Sequence, residues 1–309
     1  MQDIVSFDQL SPTSLMNLFA KVPRMKSITQ NSTPSKILSG KVVTLLFYEP
    51  SSRTFASFAA AVKRLGGQTL EIIDPTNFSS VSKGESFEDT INTFEAYSDM
   101  IILRHPQKGA SENASLQAMV PIINAGDGIG EHPTQALLDL YTIYEQYGRL
   151  ENLTGVLTGD ILNGRTIHSL IRGLSLFKNN TLYLLSPREL KLSDADRKEF
   201  IKRNISIIEI HKESDIPQNA DFWYWTRVQK ERFITNQEYE KVKNKFILSR
   251  DLVDKYAGKD TIFMHPLPRV GEIMPEVDLD PRAYYLRNQI RNGMYVRMAL
   301  LALVLGGIK

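Results

Sequence analysis

Val42-Val43-Thr44-Leu45-Leu46-Phe47-Tyr48-Glu49-Pro50-Ser51-Ser52-Arg53-Thr54-Phe55 reads as a strand that runs directly into a helix. Val42 to Tyr48 is rich in the β-branched and aromatic residues that suit a pleated surface. From Ser51 the period changes. Phe55, Phe58, Ala59, Val62 and Leu65 recur on one helical face, and Gly66-Gly67 ends it. Short apolar runs alternating with helix-periodic stretches predict an α/β chain with mostly parallel sheets flanked by helices.

The alternation continues downstream. Met100 to Leu103 and Val120 to Asn124 are further strands. A helix starts after His132, with Pro133 suited to its first turn; Leu137, Leu140, Tyr141 and Tyr144 line its buried face and Gly148 stops it. The pattern then restarts with the strand Gly155 to Thr158, a loop through Gly164, and a helix buried by Ile167, Leu170, Ile171 and Leu174. Thr181 to Leu185, Ile205 to Ile210, Phe222 to Trp225 and Thr261 to Met264 supply more strands, and Asn292 to Leu305 is a helix apolar nearly all round. A chain of 309 residues is long for one layered core, so two domains of roughly 150 residues are expected. The helix after His132 carries the chain from one to the other and the final helix returns it. The first domain is then 1–133 completed by a C-terminal helix at 289–309, and the second is 134–288. A ligand between two such domains would sit at the carboxyl ends of the strands.

Composition removes several classes of function. Hydrophobic residues make up 42% of the chain, enough for a packed interior. Lys and Arg number 37 against 35 Asp and Glu, and a net charge of +2 gives no general pull toward nucleic acid or membrane. Cysteine is absent, which removes disulfides, thiolate metal sites and a Cys nucleophile together. No metal or cofactor is expected. The start, Met1-Gln2-Asp3-Ile4-Val5, lacks a basic leader followed by an apolar core, and the longest apolar run, Met298 to Leu305, is too short to span a bilayer. The cytoplasm is the expected location.

Six junctions could carry chemistry. Ser51-Ser52-Arg53-Thr54 offers helix amides, hydroxyls and a guanidinium to a phosphate, or is an ordinary helix cap. Arg104-His105-Pro106-Gln107 follows a strand, so Arg104 either points into a cleft or is a surface charge. Asn124 to Gln135 is glycine-rich, but Glu131 stands where a dinucleotide fingerprint needs its third glycine; a flexible loop presenting His132 and Gln135 fits better. Gly164-Arg165-Thr166 lies at another strand-loop-helix junction. In Thr226-Arg227-Val228-Gln229-Lys230-Glu231-Arg232, alternation puts Arg227 and Gln229 on one side, with Lys230 and Glu231 as solvated charges. His265-Pro266-Leu267-Pro268-Arg269 is a rigid proline-framed turn, able to aim backbone carbonyls or purely structural.

Taken in order, these motifs resemble aspartate carbamoyltransferase from about Phe47 to Gly306, with the region around Glu131 and Asn292 to Leu300 similar to that domain of animal multifunctional pyrimidine proteins. The resemblance implies a carbamoyl phosphate-binding first domain, an aspartate-binding second domain, and carbamoyl transfer to L-aspartate. It implies that Ser51, Ser52, Arg53 and Thr54 hold the phosphate with Arg104, and that Thr54, Arg104 and His132 contact the carbonyl oxygen. Gln135 and the backbone carbonyls of Leu267 and Pro268 would orient the carbamoyl amine. Arg165, Arg227 and Gln229 would bind the aspartate carboxylates. Ser79 and Lys83 match a loop lent to a neighbouring subunit, which implies a homotrimer with shared sites; regulatory chains or fused pathway domains are partners the resemblance allows. Glu49 would pair with Arg165 or Arg232 when the two domains close.

Charge accounting agrees. Two anionic substrates carry about four negative charges, and Arg53, Lys83, Arg104, Arg165 and Arg227 can balance them in a desolvated cleft. The nearest rival, ornithine carbamoyltransferase, typically has a Cys within the motif that here reads His265-Pro266-Leu267-Pro268, and a non-catalytic scaffold would be expected to lose contacts that this chain keeps. Two positions depart from the family: Ser52 stands for the commoner threonine, and Phe55 for the Arg of bacterial enzymes, a change expected to touch packing more than chemistry.

Overall fold

β1 (Val42–Phe47) takes an inner position in a four-stranded parallel sheet of order β2-β1-β3-β4, with β2 at Gln68–Ile73, β3 at Met100–His105 and β4 at Ile122–Asp127. The computed structural model describes residues 3–31, 35–128, 130–203 and 205–306, Glu231 by its backbone alone. Two units divide the chain: Met1–Leu138 with Arg291–Lys309, and Asp139–Ile290.

In the first unit the helices are α1 (Pro12–Gln30), α2 (Ser52–Arg64), α3 (Pro75–Phe78), α4 (Phe87–Glu95) and α5 (Ala110–Gln117); α6 (Pro133–Tyr147) starts here and runs on into the second. β1, β3 and β4 are buried almost throughout, which is why β1 and the first four residues of β3 are so apolar. Each aliphatic side chain buried there contributes about 1.5–3 kcal/mol. β2 is different: its residues are exposed or half-buried, as a polar-interrupted edge strand should be. β4 would form the opposite edge, but Ile4 pairs with it through Ile4 N–H to the Ile122 carbonyl at 3.0 Å and Asn124 N–H to the Ile4 carbonyl at 2.9 Å.

The second unit has a five-stranded parallel sheet, order β7-β6-β5-β8-β9: β5 Thr154–Thr158, β6 Thr181–Leu185, β7 Ser206–Ile210, β8 Phe222–Trp225 and β9 Ile262–Met264. Its helices are α7 (Arg165–Leu174), α8 (Asp194–Lys202), α9 (Asn236–Val242) and α10 (Arg250–Tyr256), and α11 (Asn288–Val304) leads out of it. Trp223, Trp225, Phe263 and Tyr285 form the heart of a buried cluster, with Trp223 5.4 Å from Phe263 and 5.7 Å from Trp225 between ring centres. Close packing fixes one glycine here. Gly159, just past β5, has φ +117°, and a Cβ on it would lie 2.2 Å from the Thr226 carbonyl oxygen.

Both sheets reverse their strand order once. In the first, β1 leads to β2 on one side and to β3 and β4 on the other; in the second, β5 leads to β6 and β7 on one side and to β8 and β9 on the other. The carboxyl ends of β1 and β3, and of β5 and β8, therefore flank the crevices where open parallel sheets bind ligands. No helix among the described residues is long and apolar enough to cross a membrane.

Candidate active site

At the first crevice, β1 ends two residues before Glu49 and α2 begins at Ser52. Ser51 is its N-cap, yet its side chain makes no capping hydrogen bond, so the ordinary-cap reading of this hydroxyl fails. Ser51 is half-buried, Ser52 and Arg53 are exposed, and Thr54 is buried. The first-turn amides of a 13-residue helix and three hydroxyls thus gather where an anion is favoured. Phe55 packs edge-on against Phe47 at 5.3 Å, so that departure from the bacterial pattern is indeed a packing residue.

Arg104 lies on the neighbouring strand end and is only 9% exposed. Its Nη2 sits 3.2 Å from Glu49 Oε2 and its Nη1 donates to the Ala125 carbonyl at 3.2 Å, so the guanidinium is held in a fixed plane. The surface-charge alternative is excluded by burial. Within the first unit, Glu49 is paired with Arg104. His105 points elsewhere, stacked edge-on with Tyr48 and Phe87, and burial pushes its pKa down.

The glycine-rich loop after β4 is organised by Asp127. Its carboxylate accepts the Glu131 N–H at 2.7 Å and the Gly109 N–H at 2.9 Å; Ile129 lies outside the described residues. Gly128 has φ +54°, and a Cβ there would lie 2.0 Å from the Pro106 carbonyl oxygen. Glu131 turns to the N-terminal segment, accepting the Phe7 N–H at 2.8 Å and the Ser6 hydroxyl at 3.0 Å. That is the physical reason a glutamate stands where a dinucleotide loop would need glycine. His132 follows, 5% exposed, immediately before α6, with half-buried Gln135 in the first turn.

One contributor was not legible beforehand. Arg297 of α11 is buried, donates to Ser57 Oγ at 2.7 Å, lies 3.5 Å from Thr134 Oγ1 and covers the Phe58 ring at 4.9 Å. It braces the second turn of α2 against the first turn of α6. Ser79 and Lys83 sit apart from this set, on the segment after edge strand β2. Ser79 Oγ donates to the Pro75 carbonyl at 2.8 Å, and Lys83 is exposed at the end of a short 3-10 turn.

In the second unit, Arg165 opens α7 behind Gly164, and Arg227 and Gln229 follow β8; all three are half-buried. Gln229 is aimed by residues the motifs did not single out. Its Nε2 donates to the Asn163 carbonyl at 3.0 Å, and its backbone N–H reaches Asp160 Oδ2 at 3.5 Å. Asp160 in turn accepts the Asn163 N–H at 3.0 Å. Its carboxyl is fully buried, and burial raises its pKa against the hydrogen bonds that lower it. Lys230 is exposed as expected of a solvated charge, whereas the side chain of Glu231 lies outside the described residues.

His265 to Arg269 follows β9, next to β8. The Leu267–Pro268 peptide is cis, and Leu267 has φ +57°. His265 is 2% exposed, and Arg269 forks onto Asp278.

The aspartate/ornithine carbamoyltransferase carbamoyl-phosphate-binding domain matches residues 2–145, and the Asp/Orn-binding domain of the same family matches 151–304. An aspartate carbamoyltransferase catalytic subunit of Clostridium botulinum is 50% identical over 277 residues, 88% of this chain and 89% of that protein. The catalytic subunit of M. jannaschii aspartate transcarbamoylase superposes with a TM-score of 0.92 at 42% identity, covering 99% of this chain and 98% of that one. The Trypanosoma cruzi enzyme, solved with carbamoyl phosphate and aspartate, gives a TM-score of 0.89 at 36% identity over 97% of this chain and 96% of that one.

Proposed function

This chain belongs to the aspartate/ornithine carbamoyltransferase family, and we propose how its residues divide the family's work. Its activity is transfer of the carbamoyl group from carbamoyl phosphate to the amino group of L-aspartate, giving N-carbamoyl-L-aspartate and phosphate, a step of pyrimidine biosynthesis. The first unit binds carbamoyl phosphate. The α2 amides, Ser51, Ser52, Arg53 and Thr54 hold its phosphate with Arg104; Thr54, Arg104 and His132 donate to its carbonyl oxygen. Gln135 and the Leu267 and Pro268 carbonyls take the amine. The second unit binds aspartate, with Arg165, Arg227 and Gln229 on its carboxylates.

The observation that carries this reading is the grouping of donors and cations at the carboxyl ends of strands flanking both reversal points. The chemistry then needs no covalent intermediate on the protein. The deprotonated aspartate nitrogen attacks the carbonyl carbon, a C–N bond forms, and the negative charge gathers on the carbonyl oxygen. The C–O bond to phosphate breaks, and the departing phosphate accepts the proton of the former amine. Holding both reactants together is worth about 7–11 kcal/mol. Each well-placed oxyanion donor adds roughly 3 kcal/mol.

Ser79 and Lys83, on their exposed segment, are proposed to serve a neighbouring copy in a ring of three. The test of the activity is direct. Purified chain with carbamoyl phosphate should form carbamoyl-aspartate and leave ornithine unmodified; comparable rates with both acceptors would refute the specificity.

A further inference from the structure

We infer that His265 and Glu272 are positioning residues for the carbamoyl end of the substrate, acting through the backbone of Leu267; this rests on the proposed role of the Leu267 and Pro268 carbonyls. The pair is buried, His265 at 2% and Glu272 at 6% exposure, within the second unit. Burying a carboxylate and an imidazole is costly unless each is tied down. Both are.

His265 Nδ1 accepts the Leu267 N–H at 2.7 Å, and its Nε2 lies 2.7 Å from Glu272 Oε1. An acceptor cannot carry a proton, so Nδ1 is bare and Nε2–H donates to the carboxylate. A charged imidazolium would set an N–H against the N–H of Leu267. Glu272 is committed through its other oxygen too, where Oε2 accepts the Val270 N–H at 2.9 Å. Burial raises the Glu272 pKa, but the His265 hydrogen bond and the backbone donors outweigh it and keep the group ionised.

The backbone side of His265 is anchored as well. Its N–H donates to Gln289 Oε1 at 2.9 Å, Gln289 Nε2 donates to Asp139 at 2.7 Å, and Tyr224 Oη donates to the same carboxylate at 2.8 Å. The turn that this scaffold fixes is one a leucine would not choose. Leu267 at φ +57° occupies the left-handed region, which persists only where surroundings over-determine it. Its amide bond to His265 Nδ1 is one such constraint, and that bond exists in only one imidazole tautomer. Glu272 selects the tautomer, the tautomer holds the amide, and the amide sets the direction of the carbonyls beyond it.

Glu272→Gln tests the chain of dependence, because a carboxamide cannot satisfy both neighbours. With its oxygen toward Val270, its NH2 faces Nε2 and demands the opposite tautomer. With its oxygen toward His265, its NH2 opposes the Val270 N–H. Selective ¹⁵N-histidine labelling resolves the tautomer among only five histidines. The wild-type chain should show Nε2–H at His265; an Nδ1–H or an imidazolium at neutral pH would overturn the inference without any variant.

In Glu272→Gln the KM for carbamoyl phosphate should rise about tenfold, the loss of one buried hydrogen bond's worth of aim. The aspartate KM and inhibition by inorganic phosphate should stay within about twofold, since those contacts belong to other residues. His265→Asn, which keeps an acceptor near the Nδ1 position, should retain more carbamoyl phosphate affinity than His265→Ala. Equal damage to phosphate inhibition would show a merely structural role, and an altered tautomer with carbamoyl phosphate saturation unmoved would overturn the positioning role. Failure of the activity itself would look different: the wild-type chain would form no carbamoyl-aspartate.

Discussion

Replacing Gly159 by alanine tests whether the proposed aspartate-binding residues depend on the close approach of β5 and β8. A Cβ at this position would lie 2.2 Å from the Thr226 carbonyl oxygen and 2.5 Å from its hydroxyl, in a backbone conformation with φ +117°. The backbone alone costs an alanine about 1–2 kcal/mol. The collision forces the chain after β8 outward by roughly an ångström, and overpacking of this kind typically costs another 1–3 kcal/mol. Thr226 immediately precedes Arg227, so the displacement falls on the proposed carboxylate contacts. We expect about 3 kcal/mol of lost stability, which is a fall in Tm of roughly 6–12 °C for a unit of this size. Gly148→Ala is the control. It also has positive φ, +66°, but meets nothing within 4 Å, so it should cost only about 1 kcal/mol. Steady-state kinetics should show the aspartate KM raised severalfold in Gly159→Ala, with inhibition by inorganic phosphate unchanged. An aspartate KM equal to that of the Gly148→Ala control would refute the reasoning, and so would an equal loss of phosphate affinity.

Arg53→Ala and Lys83→Ala chains, each nearly inactive alone, should recover about a quarter of wild-type activity when unfolded and refolded together. Random mixing makes roughly three in four rings hybrids with one intact site in three; no recovery, with hybrid trimers verified by mass, would deny Lys83 a role in a neighbour's site. Glu131→Ala removes two charge-assisted hydrogen bonds to Ser6 and Phe7 and should cost about 2 kcal/mol. Amide exchange at Phe7 should quicken, and unchanged protection there would contradict the anchoring role. Acid should weaken the second unit through Asp280, whose hydrogen bond from Arg282 holds its pKa below the aspartate range despite burial. A depressed carboxylate stabilises the fold above its unfolded pKa of about 4 and loses that contribution as pH falls through the folded value. Asp280→Asn should therefore be less stable than wild type at pH 7, with the gap narrowing as pH falls below the ordinary aspartate range; a gap independent of pH would exclude this linkage.

What the chain disclosed before folding was its local grammar. β6 and β8 occupy Thr181–Leu185 and Phe222–Trp225, the limits their apolar runs predict, because mostly buried strands carry nearly unbroken signals. β4 begins at Ile122 and not at Val120, since Pro121 has no N–H to give the ladder. β2 went unassigned: an edge strand with Gln68, Thr69 and Glu71 shows no apolar run to read. Glu49 was not matched with Arg104 for a related reason. Its contact to Arg104 comes from β1 and β3 lying side by side, and register between strands is not written in either one alone. Asp160 reaches Gln229 across a separation of 69 residues, and Asp139 reaches Gln289 across 150. Such pairs acquire meaning only from topology.

Three acids stand beside residues proposed to bind or position the anionic substrates. Glu49 sits against Arg104, Asp160 beneath Gln229, and Glu272 against His265. Each carboxylate subtracts from the positive field that would draw carbamoyl phosphate and aspartate in. A loose arginine, however, must lose up to about 2 kcal/mol of side-chain freedom when a substrate fixes it. One already held by an acid has lost that freedom during folding, when the whole domain's packing offsets it. Fixed donors also reach the transition state without rearranging, and preorganisation is the larger share of catalytic electrostatics. These acids thus trade strength of attraction for accuracy of aim. Arg104, planar and clamped from two sides at 9% exposure, shows the trade most clearly. Arg53, by contrast, is exposed in the first turn of α2.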